Sequence, residues 1–351
     1  MKTDNKSITM IQDHAPNISI VVPIFNEAHC IEGVLIQLLA QSYDPECIEI
    51  LVIDGQSTDG TQDLVQKYAD RYPNVHLFEN PHRLSSAARN IGIRHASGDV
   101  VLIIDGHCEL ENDHLLTNVA EAFETSGADC VGRPQPQDIR AATALQRAIS
   151  AARSSWLGHH PDSFIYSDKA QFVPAASVAV AYRRDVFEKV GYFDENFDAC
   201  EDYEFNIRCD KAGLKCYFTP NAAVSYQPRA SLCELFKQLF RYGRGRIRMM
   251  RKHPETFSSR TLLPALMVAG IVPGLMLAGF SSTMAIAWFV AVGVYLAVIG
   301  IASAQLAVRH ADLPLAAWLP IVFPTIHFGA GTGLLLEAVR SCRRQDAPAS
   351  H

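Results

Sequence analysis

Short apolar runs alternate with amphipathic segments through the first third of the chain. Four runs have the length and the β-branched content of buried strands: 19–25, 48–54, 75–80 and 100–105. Three segments between them repeat their apolar residues at helical spacing: 29–41, 59–72 and 85–96. Strands that alternate with helices favour parallel pairing and right-handed crossovers. The pattern therefore predicts a doubly wound, mostly parallel α/β domain.

The alternation continues less regularly up to residue 230. Three further segments are predicted to be helical: 111–125, 141–156 and 201–213. The apolar stretches 127–136 and 176–183 predict more strands, and another helix is expected to begin near Arg184. We place the α/β domain at residues 17–230. It follows a polar tail, residues 1–16, which lacks the apolar core of a signal peptide.

Three apolar stretches dominate the last third of the chain: 262–280, 284–308 and 313–337. Each approaches or exceeds the roughly 20 residues that a helix needs to cross a bilayer. We therefore predict an α-helical transmembrane region of about three helices at residues 261–338 and a polar tail at residues 339–351. A buried hairpin in a larger soluble core is the alternative.

A basic, aromatic segment, residues 231–260, connects the two parts and is predicted to be an amphipathic helix at the membrane interface. Its lysines and arginines place this flank on the cytoplasmic side of a cell (inner) membrane, which the chain would cross more than once. Three full spans would put the basic RSCRR (340–344) outside, against the same rule. That one of the three stretches is re-entrant or interfacial therefore remains open.

Charge and cysteine content exclude two classes of protein. The net charge is −6, which argues against a nucleic-acid partner. The nine cysteines form no C-x-x-C pair, and their odd number favours reduced thiols in a cytosolic compartment over a disulfide framework.

The apolar run that begins at residue 100 ends in Asp105-Gly106-His107. In open α/β sheets the carboxyl edge is where ligands bind. Residues two apart on an extended segment point the same way, so Asp105 and His107 are expected to converge on one divalent cation. Such a cation could carry the diphosphate of an activated substrate. An ordinary Asp-Gly turn is the alternative.

The first two strands end at the same edge in further polar residues. Pro23 closes the first run, Asn26 and Glu27 follow it, and Asp54 closes the second. Asn26 and Glu27 can accept hydrogen bonds from a base or a ribose there. A surface carboxylate that begins a helix is the alternative for Glu27.

Five segments occur in a characteristic order: SIVVPIFNE, VIDGQSTDGT, the Asp-Gly-His triplet, EDYEF and QLFRY. In that order and approximate spacing, the chain resembles inverting family 2 glycosyltransferases of the GT-A fold over residues 17–250. With its apolar C-terminal part, it is similar to the membrane-anchored bacterial exopolysaccharide glycosyltransferases of the succinoglycan type. The resemblance implies a GT-A (Rossmann-like) catalytic domain.

The same resemblance implies an activity. A sugar would move from a nucleotide-diphosphate sugar, with UDP expected, to a lipid-linked or growing glycan acceptor in surface polysaccharide synthesis. The partners would be that donor, that acceptor and membrane lipid.

The resemblance also implies roles for the donor-side residues. Pro23, Asn26, Glu27 and Asp54 would line the nucleotide pocket, with Asp54 on the nucleobase. Arg89 would lie near the diphosphate, where a guanidinium can pair with phosphate oxygens, although an exposed helix arginine is the alternative. Gly55 stands where many relatives carry a second acidic residue.

Asp105 and His107 resemble the family's Asp-x-Asp metal motif, with histidine in the second acidic position. The cofactor implied is a divalent cation, Mn²⁺ or Mg²⁺. Imidazole suits Mn²⁺ better than Mg²⁺, which prefers oxygen ligands. A second metal site in the loop at His159, His160 and Asp162 is a weaker hypothesis.

On the acceptor side, Glu201 and Asp202 match the acidic pair that supplies the family's general base. We expect Asp202 to be that base, with Glu201 the second candidate. Gln238, Arg241 and Tyr242 resemble a Gln-x-x-Arg-Trp motif in which the aromatic residue stacks on the acceptor sugar and the other two face the diphosphate. Here tyrosine replaces tryptophan. The motif's segment is also rich enough in arginine to lie on anionic lipid as an interfacial helix.

Two other functions remain open. A polyprenyl-phosphate glycosyltransferase would need no strong base, because its acceptor oxygen is already anionic. A non-catalytic membrane module that binds a nucleotide sugar or scaffolds an export complex is the more distant alternative.

Overall fold

The apolar runs of the first third form the centre of an eight-stranded sheet. The computed structural model describes residues 15–158 and 164–345, with the backbone alone for 342–345. Its strands are β1 Ile18–Ile24, β2 Ile48–Asp54, β3 Val75–Glu79, β4 Val100–Ile103, β5 Cys108–Leu110, β6 Cys130–Gly132, β7 Gln171–Val173, β8 Ala179–Arg183, β9 Cys216–Phe218 and β10 Val224–Tyr226.

The strand order is β3-β2-β1-β4-β8-β6-β9-β7. The first four strands are mutually parallel, with Ile18 aligned to both Ile48 and Val100. Strand β8 then runs antiparallel to β4 and β6, and β7 runs antiparallel to β9. The predicted α/β fold is confirmed, and its second half is a mixed sheet.

Helices cover both faces of this sheet. Those of the α/β part are α1 Ile31–Leu39, α2 Thr61–Arg71, α3 Ser85–His95, α4 Leu115–Ser126, α5 Ala144–Arg153, α6 Asp185–Val190 and α7 Glu201–Lys211. Side chains of α1, α2 and α4 pack on one face, and those of α3, α6 and α7 pack on the other. Gly92 allows α3 to approach the sheet closely, since a Cβ there would lie 2.5 Å from Val21.

The C-terminal part is entirely helical over its described residues. It comprises α8 Leu232–Lys252, α9 Ser259–Ala278, α10 Ser282–Arg309 and α11 Pro314–Gln345. By length and composition, three stretches are able to cross a membrane: Ser259–Ala278, Ser282–Arg309 and Pro314–Ser341. Helix α11 continues into the predicted polar tail. Residues 1–14, the proposed ligands His159, His160 and Asp162, and residues 346–351 lie outside the described part.

The segment Asp105-Gly106-His107 departs from the expected geometry. Strand β4 ends at Ile103, and Gly106 and His107 form a turn that leads into β5. Strand β5 then pairs with β10 in a separate two-stranded sheet, which the sequence pattern did not predict. The assumption of an extended segment is therefore wrong, and the positions of Asp105 and His107 follow from the turn and its contacts.

Candidate active site

A cleft lies where β4 ends, between the sheet and the start of α7. It brings together Asp105 after β4, Arg89 on α3 and Asp202 at the start of α7. The other lining residues are Ile103, Gln135, Ala179, Val180, Tyr182, Phe193 and Tyr226. Three of the predicted site residues, far apart in sequence, therefore share one cleft.

Asp105 is held from two sides. The Tyr226 hydroxyl donates a hydrogen bond to Asp105 Oδ2 at 3.0 Å, and Arg89 Nη2 lies 3.8 Å from Oδ1. Burial by itself would raise the pKa of Asp105, but Arg89 and then His107 outweigh it and lower that pKa. Burial raises the pKa of the Tyr226 hydroxyl, so this group stays protonated and donates. Asp105 is therefore an oriented, ionised carboxylate.

His107 is oriented by Glu27. Its Nδ1 lies 2.7 Å from Glu27 Oε1, and this hydrogen bond raises the pKa of His107. The second carboxylate oxygen of Glu27 is buried without a hydrogen-bond partner. Gly106 makes room for it, because a Cβ there would lie 2.1 Å from Glu27 Oε2. With Nδ1 occupied, His107 has Nε2 left for a ligand.

The donor set around Asp105 fits a divalent cation. Metal-bound histidines commonly use the second ring nitrogen to contact a carboxylate, as His107 does with Glu27. Two carboxylates, of Asp105 and Asp202, and one guanidinium group, of Arg89, line the cleft itself, and Arg89 is already paired with Glu201. Added positive charge would balance this excess before a diphosphate could enter. In residues 15–158 and 164–345 no three His, Cys, Asp or Glu side chains cluster as metal ligands, so phosphate oxygens or water would have to complete the shell.

Glu201 and Asp202 have different surroundings although they are adjacent. Glu201 is buried, and its Oε1 lies 3.0 Å from Arg89 Nη1. Burial raises the pKa of Glu201, an effect that Arg89 opposes and Asp202 increases. Asp202 is exposed in the cleft, and its Oδ1 accepts from the Tyr203 backbone N–H at 2.7 Å. Of the two carboxylates, Asp202 is therefore the one that is accessible from the cleft, and its expected role as the base remains a prediction.

Arg89 is not the exposed helix arginine that one alternative supposed. Its side chain is 11% exposed, pairs with Glu201 and lies over the Phe193 ring at 5.5 Å. On the cleft side it faces Asp105. It therefore links the carboxylate expected to bind the cation to the start of the helix that carries Asp202.

Asn26 and Asp54 join two loops at the edge of the sheet. Asn26 Oδ1 accepts from the Thr58 backbone N–H at 2.8 Å. Asp54 is fully buried and accepts from the side chains of Ser57 and Gln62. Pro23 lies in β1 beyond the end of its pairing with β4. The predicted nucleotide-binding roles of these residues remain predictions, since the contacts present are between loops.

Gln238, Arg241 and Tyr242 lie on α8, outside the residues that line the cleft. Gln238 Nε2 is 3.3 Å from the Tyr242 hydroxyl, and Arg241 donates to the Asp198 carbonyl oxygen. Tyr242 is 38% exposed, and its backbone oxygen lies 4.0 Å from Cys200 Sγ, immediately before Glu201. The expected acceptor roles of all three remain predictions.

Two arginines of α8 contact protein carboxylates and are not free to bind lipid. Arg244 Nε lies 3.0 Å and Arg248 Nε 2.9 Å from Glu337 on α11. Both also pair with Asp198 in the loop before α7. Arg246 lies 4.4 Å from the Tyr203 ring centroid. The arginine content of α8 is thus largely structural.

Two residues of this site were not found from the sequence. Arg133 is 1% exposed, and its Nη2 lies 3.3 Å from the Tyr226 hydroxyl that holds Asp105. Arg133 directly follows β6, so it carries the same signal as Asp54, a polar residue at the end of a strand. Tyr226 ends the short strand β10 and gives no such signal.

Comparisons with known proteins identify the family. The sequence model of the family described as Glycosyl transferase family 2 matches residues 19–191. The Succinoglycan biosynthesis protein ExoA of Rhizobium meliloti (strain 1021) is 35% identical over 257 residues, 73% of this chain and 76% of that protein. The Dolichyl N-acetyl-alpha-D-glucosaminyl phosphate 3-beta-D-2,3-diacetamido-2,3-dideoxy-beta-D-glucuronosyltransferase of Methanococcus voltae is 30% identical over 244 residues, 67% of this chain and 74% of that protein.

Solved structures share the fold. The mannosyltransferase PcManGT from Pyrobaculum calidifontis, in complex with GDP-Man and Mn²⁺, has a TM-score of 0.57 at 20% identity and covers 93% of this chain and 88% of its own. S. aureus TarS 1-349, in complex with UDP-GlcNAc, has a TM-score of 0.51 at 15% identity, with 95% and 93% covered. At these identities the likeness concerns the fold alone.

Proposed function

Because the chain belongs to glycosyl transferase family 2 and is a glycosyltransferase of the GT-A fold, we propose that it transfers a sugar, with inversion, from a nucleotide-diphosphate sugar to a glycan acceptor. UDP is the nucleotide we propose. The acceptor is a lipid-linked or growing glycan of polysaccharide biosynthesis, in keeping with the name of the Rhizobium relative.

One observation carries this proposal: exposed Asp202 shares a cleft with Asp105 and Arg89, while its neighbour Glu201 is buried. Asp202 takes the proton of the acceptor hydroxyl as that oxygen bonds to the anomeric carbon. The bond from this carbon to the diphosphate oxygen breaks on the opposite face. The positions of Asp202 and Asp105 in one cleft suit these two ends of the reaction.

A divalent cation bound at Asp105 and His107 would stabilise the departing diphosphate as a Lewis acid. The chain's own residues prepare the place for it. Tyr226 orients Asp105, and Glu27 fixes the ring of His107. Arg89 contributes a positive charge beside Asp105 on the diphosphate side.

The apolar helices support a location at the cell inner membrane, with the catalytic domain, residues 17–230, in the cytoplasm. Large apolar side chains are exposed along α9 and α10, among them Leu266, Met276, Ile286 and Phe289, each above 60%. Such surfaces are stable in lipid. They would bring the cleft to an acceptor that is itself lipid-linked.

A calorimetric titration of the detergent-solubilised full chain with UDP and GDP tests the donor site. We expect UDP binding in Mn²⁺ that disappears on chelation and in Asp105→Asn. Asp63→Asn, which removes an exposed carboxylate on α2, should bind as the unmodified chain does. Binding of neither nucleotide by a folded protein would contradict the proposal and favour a scaffold.

A further inference from the structure

Helix α11 differs from the other two apolar helices in what surrounds it. In its most apolar stretch 44% of residues are buried within the protein, against 6% in α9 and 6% in α10. Leu319, Val322 and Phe323 are fully buried in a cluster with residues of α5 and α8. A helix surrounded by lipid would have its side chains exposed in this structure, as α9 and the first part of α10 do; Ile299, Ala302 and Ala307 near the end of α10 join the buried cluster.

Ion pairs connect both ends of α11 to other helices, α5 at one end and α8 at the other. Near its start, Asp312 Oδ2 lies 2.6 Å from Arg147 Nε on α5. Near its end, Glu337 pairs with Arg244 and Arg248 on α8. The α-helical rise separates Pro314 from Glu337 by about 35 Å, more than the roughly 30 Å of bilayer hydrocarbon. A spanning α11 would thus place α5 and the end of α8 on opposite sides of the membrane, although Arg244 and Arg248 of α8 also pair with Asp198 in the domain that contains α5.

Between its ends, α11 lies against the domain. His327 Nε2 is 3.2 Å from the Leu157 carbonyl oxygen, in the loop after α5. A Cβ at Gly333 would lie 2.1 Å from the Phe240 carbonyl oxygen, so the backbones of α11 and α8 almost touch. The two helices stay together up to Glu337. Whatever depth α8 has in the membrane, the second half of α11 shares it.

The exposed charged side chains of α8 determine how deeply this helix can lie in the membrane. Lys237, Arg241 and Arg251 are exposed along the helix. Each would cost about 2.5–3.5 kcal/mol at the centre of a bilayer. Helix α8 therefore lies outside the hydrocarbon core, and α11 lies beside it.

The face of α11 turned away from the domain is apolar. Leu313, Ile321 and Val339 are exposed at 83%, 49% and 52%, and Ala317 is exposed between the first two. Leu313, directly before α11, Ala317 and Ile321 lie four residues apart on one side of the helix. Residues 322–338 are buried or half-buried, and Val339 is exposed near the C-terminal end. A helix with one face on protein and one apolar face is suited to the boundary between headgroups and acyl chains.

We propose that α11 does not cross the bilayer but lies in its interface, between the catalytic domain and the lipid. Only α9 and α10 cross, as an antiparallel pair in which Gly274 packs on Trp288. The exposed apolar residues Leu313, Ala317, Ile321 and Val339 contact acyl chains. The basic residues 340–344 then lie on the same side as the catalytic domain, which satisfies the positive-inside rule that three spans would violate.

Reporters fused to the C-terminus of the full chain test this proposal. It rests on a cytoplasmic catalytic domain, but reporter signals need no transferase activity, so the two proposals fail separately. We expect a fluorescent green fluorescent protein fusion and an inactive alkaline phosphatase fusion. An active phosphatase fusion would mean that α11 crosses the membrane and would overturn the proposal.

Cysteine labelling in intact cells tests the crossing pair. Ser281→Cys, at the turn between α9 and α10, should react with a membrane-impermeant maleimide, whereas the unmodified chain should react only after the membrane is permeabilised. Failure of Ser281→Cys to react in intact cells, with a cytoplasmic C-terminus, would show that α9 and α10 do not cross. That result would also overturn the proposal.

Discussion

At the scale of single residues, the contact between His107 and Glu27 would set the affinity of the proposed site for a metal ion. The 2.7 Å contact between His107 Nδ1 and Glu27 Oε1 fixes the imidazole ring, and a partner of this kind typically contributes 10–100-fold to metal affinity. We therefore expect His107→Gln and Glu27→Gln each to weaken Mn²⁺ binding in the presence of UDP by about 10–100-fold.

Calorimetric Mn²⁺ titration of the UDP-bound protein measures this effect. His114→Gln is the matched control, because His114 is 60% exposed and pairs only with the surface residue Asp113 in the described structure. Unchanged Mn²⁺ affinity in His107→Gln would mean that His107 is not a ligand and that Asp105 holds the cation with water and phosphate oxygens.

At the scale of elements, the packing of α7 against the end of α8 depends on a buried carboxylate. Glu204 is fully buried and contacts Arg208, Lys252 and His253. Burial would raise the pKa of Glu204, but Arg208 and Lys252 outweigh it, and the pKa is lowered. A lowered pKa contributes stability that is present above the ordinary carboxyl pKa and is lost as pH falls through the lowered value.

We predict that Glu204→Gln lowers stability at pH 7 by about 2 kcal/mol, since it removes a charged partner from a buried network. The difference from the unmodified chain should shrink as pH falls below about 4. Thermal unfolding in detergent at both pH values measures it. Glu188→Gln, at an exposed position on α6, is the control. A difference in stability between Glu204→Gln and the unmodified chain that does not change with pH would contradict a lowered pKa for Glu204.

The contact between α8 and α11 depends on glycine. A Cβ at Gly333 would meet the Phe240 carbonyl oxygen at 2.1 Å, whereas a Cβ at Gly300 on α10 would meet nothing within 4 Å. We expect Gly333→Ala to cost about 1–3 kcal/mol through overpacking. Gly300→Ala should be neutral or stabilising, because alanine favours helix. Equal thermal midpoints for the two variants would show that the helices are not packed this closely.

At the scale of the whole molecule, the sequence predicts the elements better than their contacts. Nearly continuous apolar runs located β1 to β4 and the long C-terminal helices. Strands β5 and β10 have three residues each and show no such run, so Tyr226 was missed. The stretch that contains β6 was predicted, but the position where β6 ends, directly before Arg133, was not. The pairing of Glu337 with Arg248 joins residues 89 positions apart, which no local pattern signals.

A strand end and the family resemblance located Asp105, Arg89 and Asp202 of the cleft, but not their contacts with neighbouring residues. Asp105 was found because parallel strands end at one edge, and Asp202 was found from the resemblance. That Glu201 is buried against Arg89 while Asp202 is exposed depends on how α3 and α7 pack, which only the structure shows.

The central claim is that Asp202 activates the acceptor in a cleft that binds the donor independently. The most direct test measures the transfer of sugar from radiolabelled UDP- and GDP-hexoses to lipid. It uses membranes that contain either the unmodified chain or Asp202→Asn, and the nucleotide affinity of both proteins is measured as well. We predict unchanged nucleotide affinity and a rate at least about 100-fold lower in Asp202→Asn. Transfer at the unmodified rate would contradict the claim and point to an acceptor that is already anionic, such as a lipid phosphate.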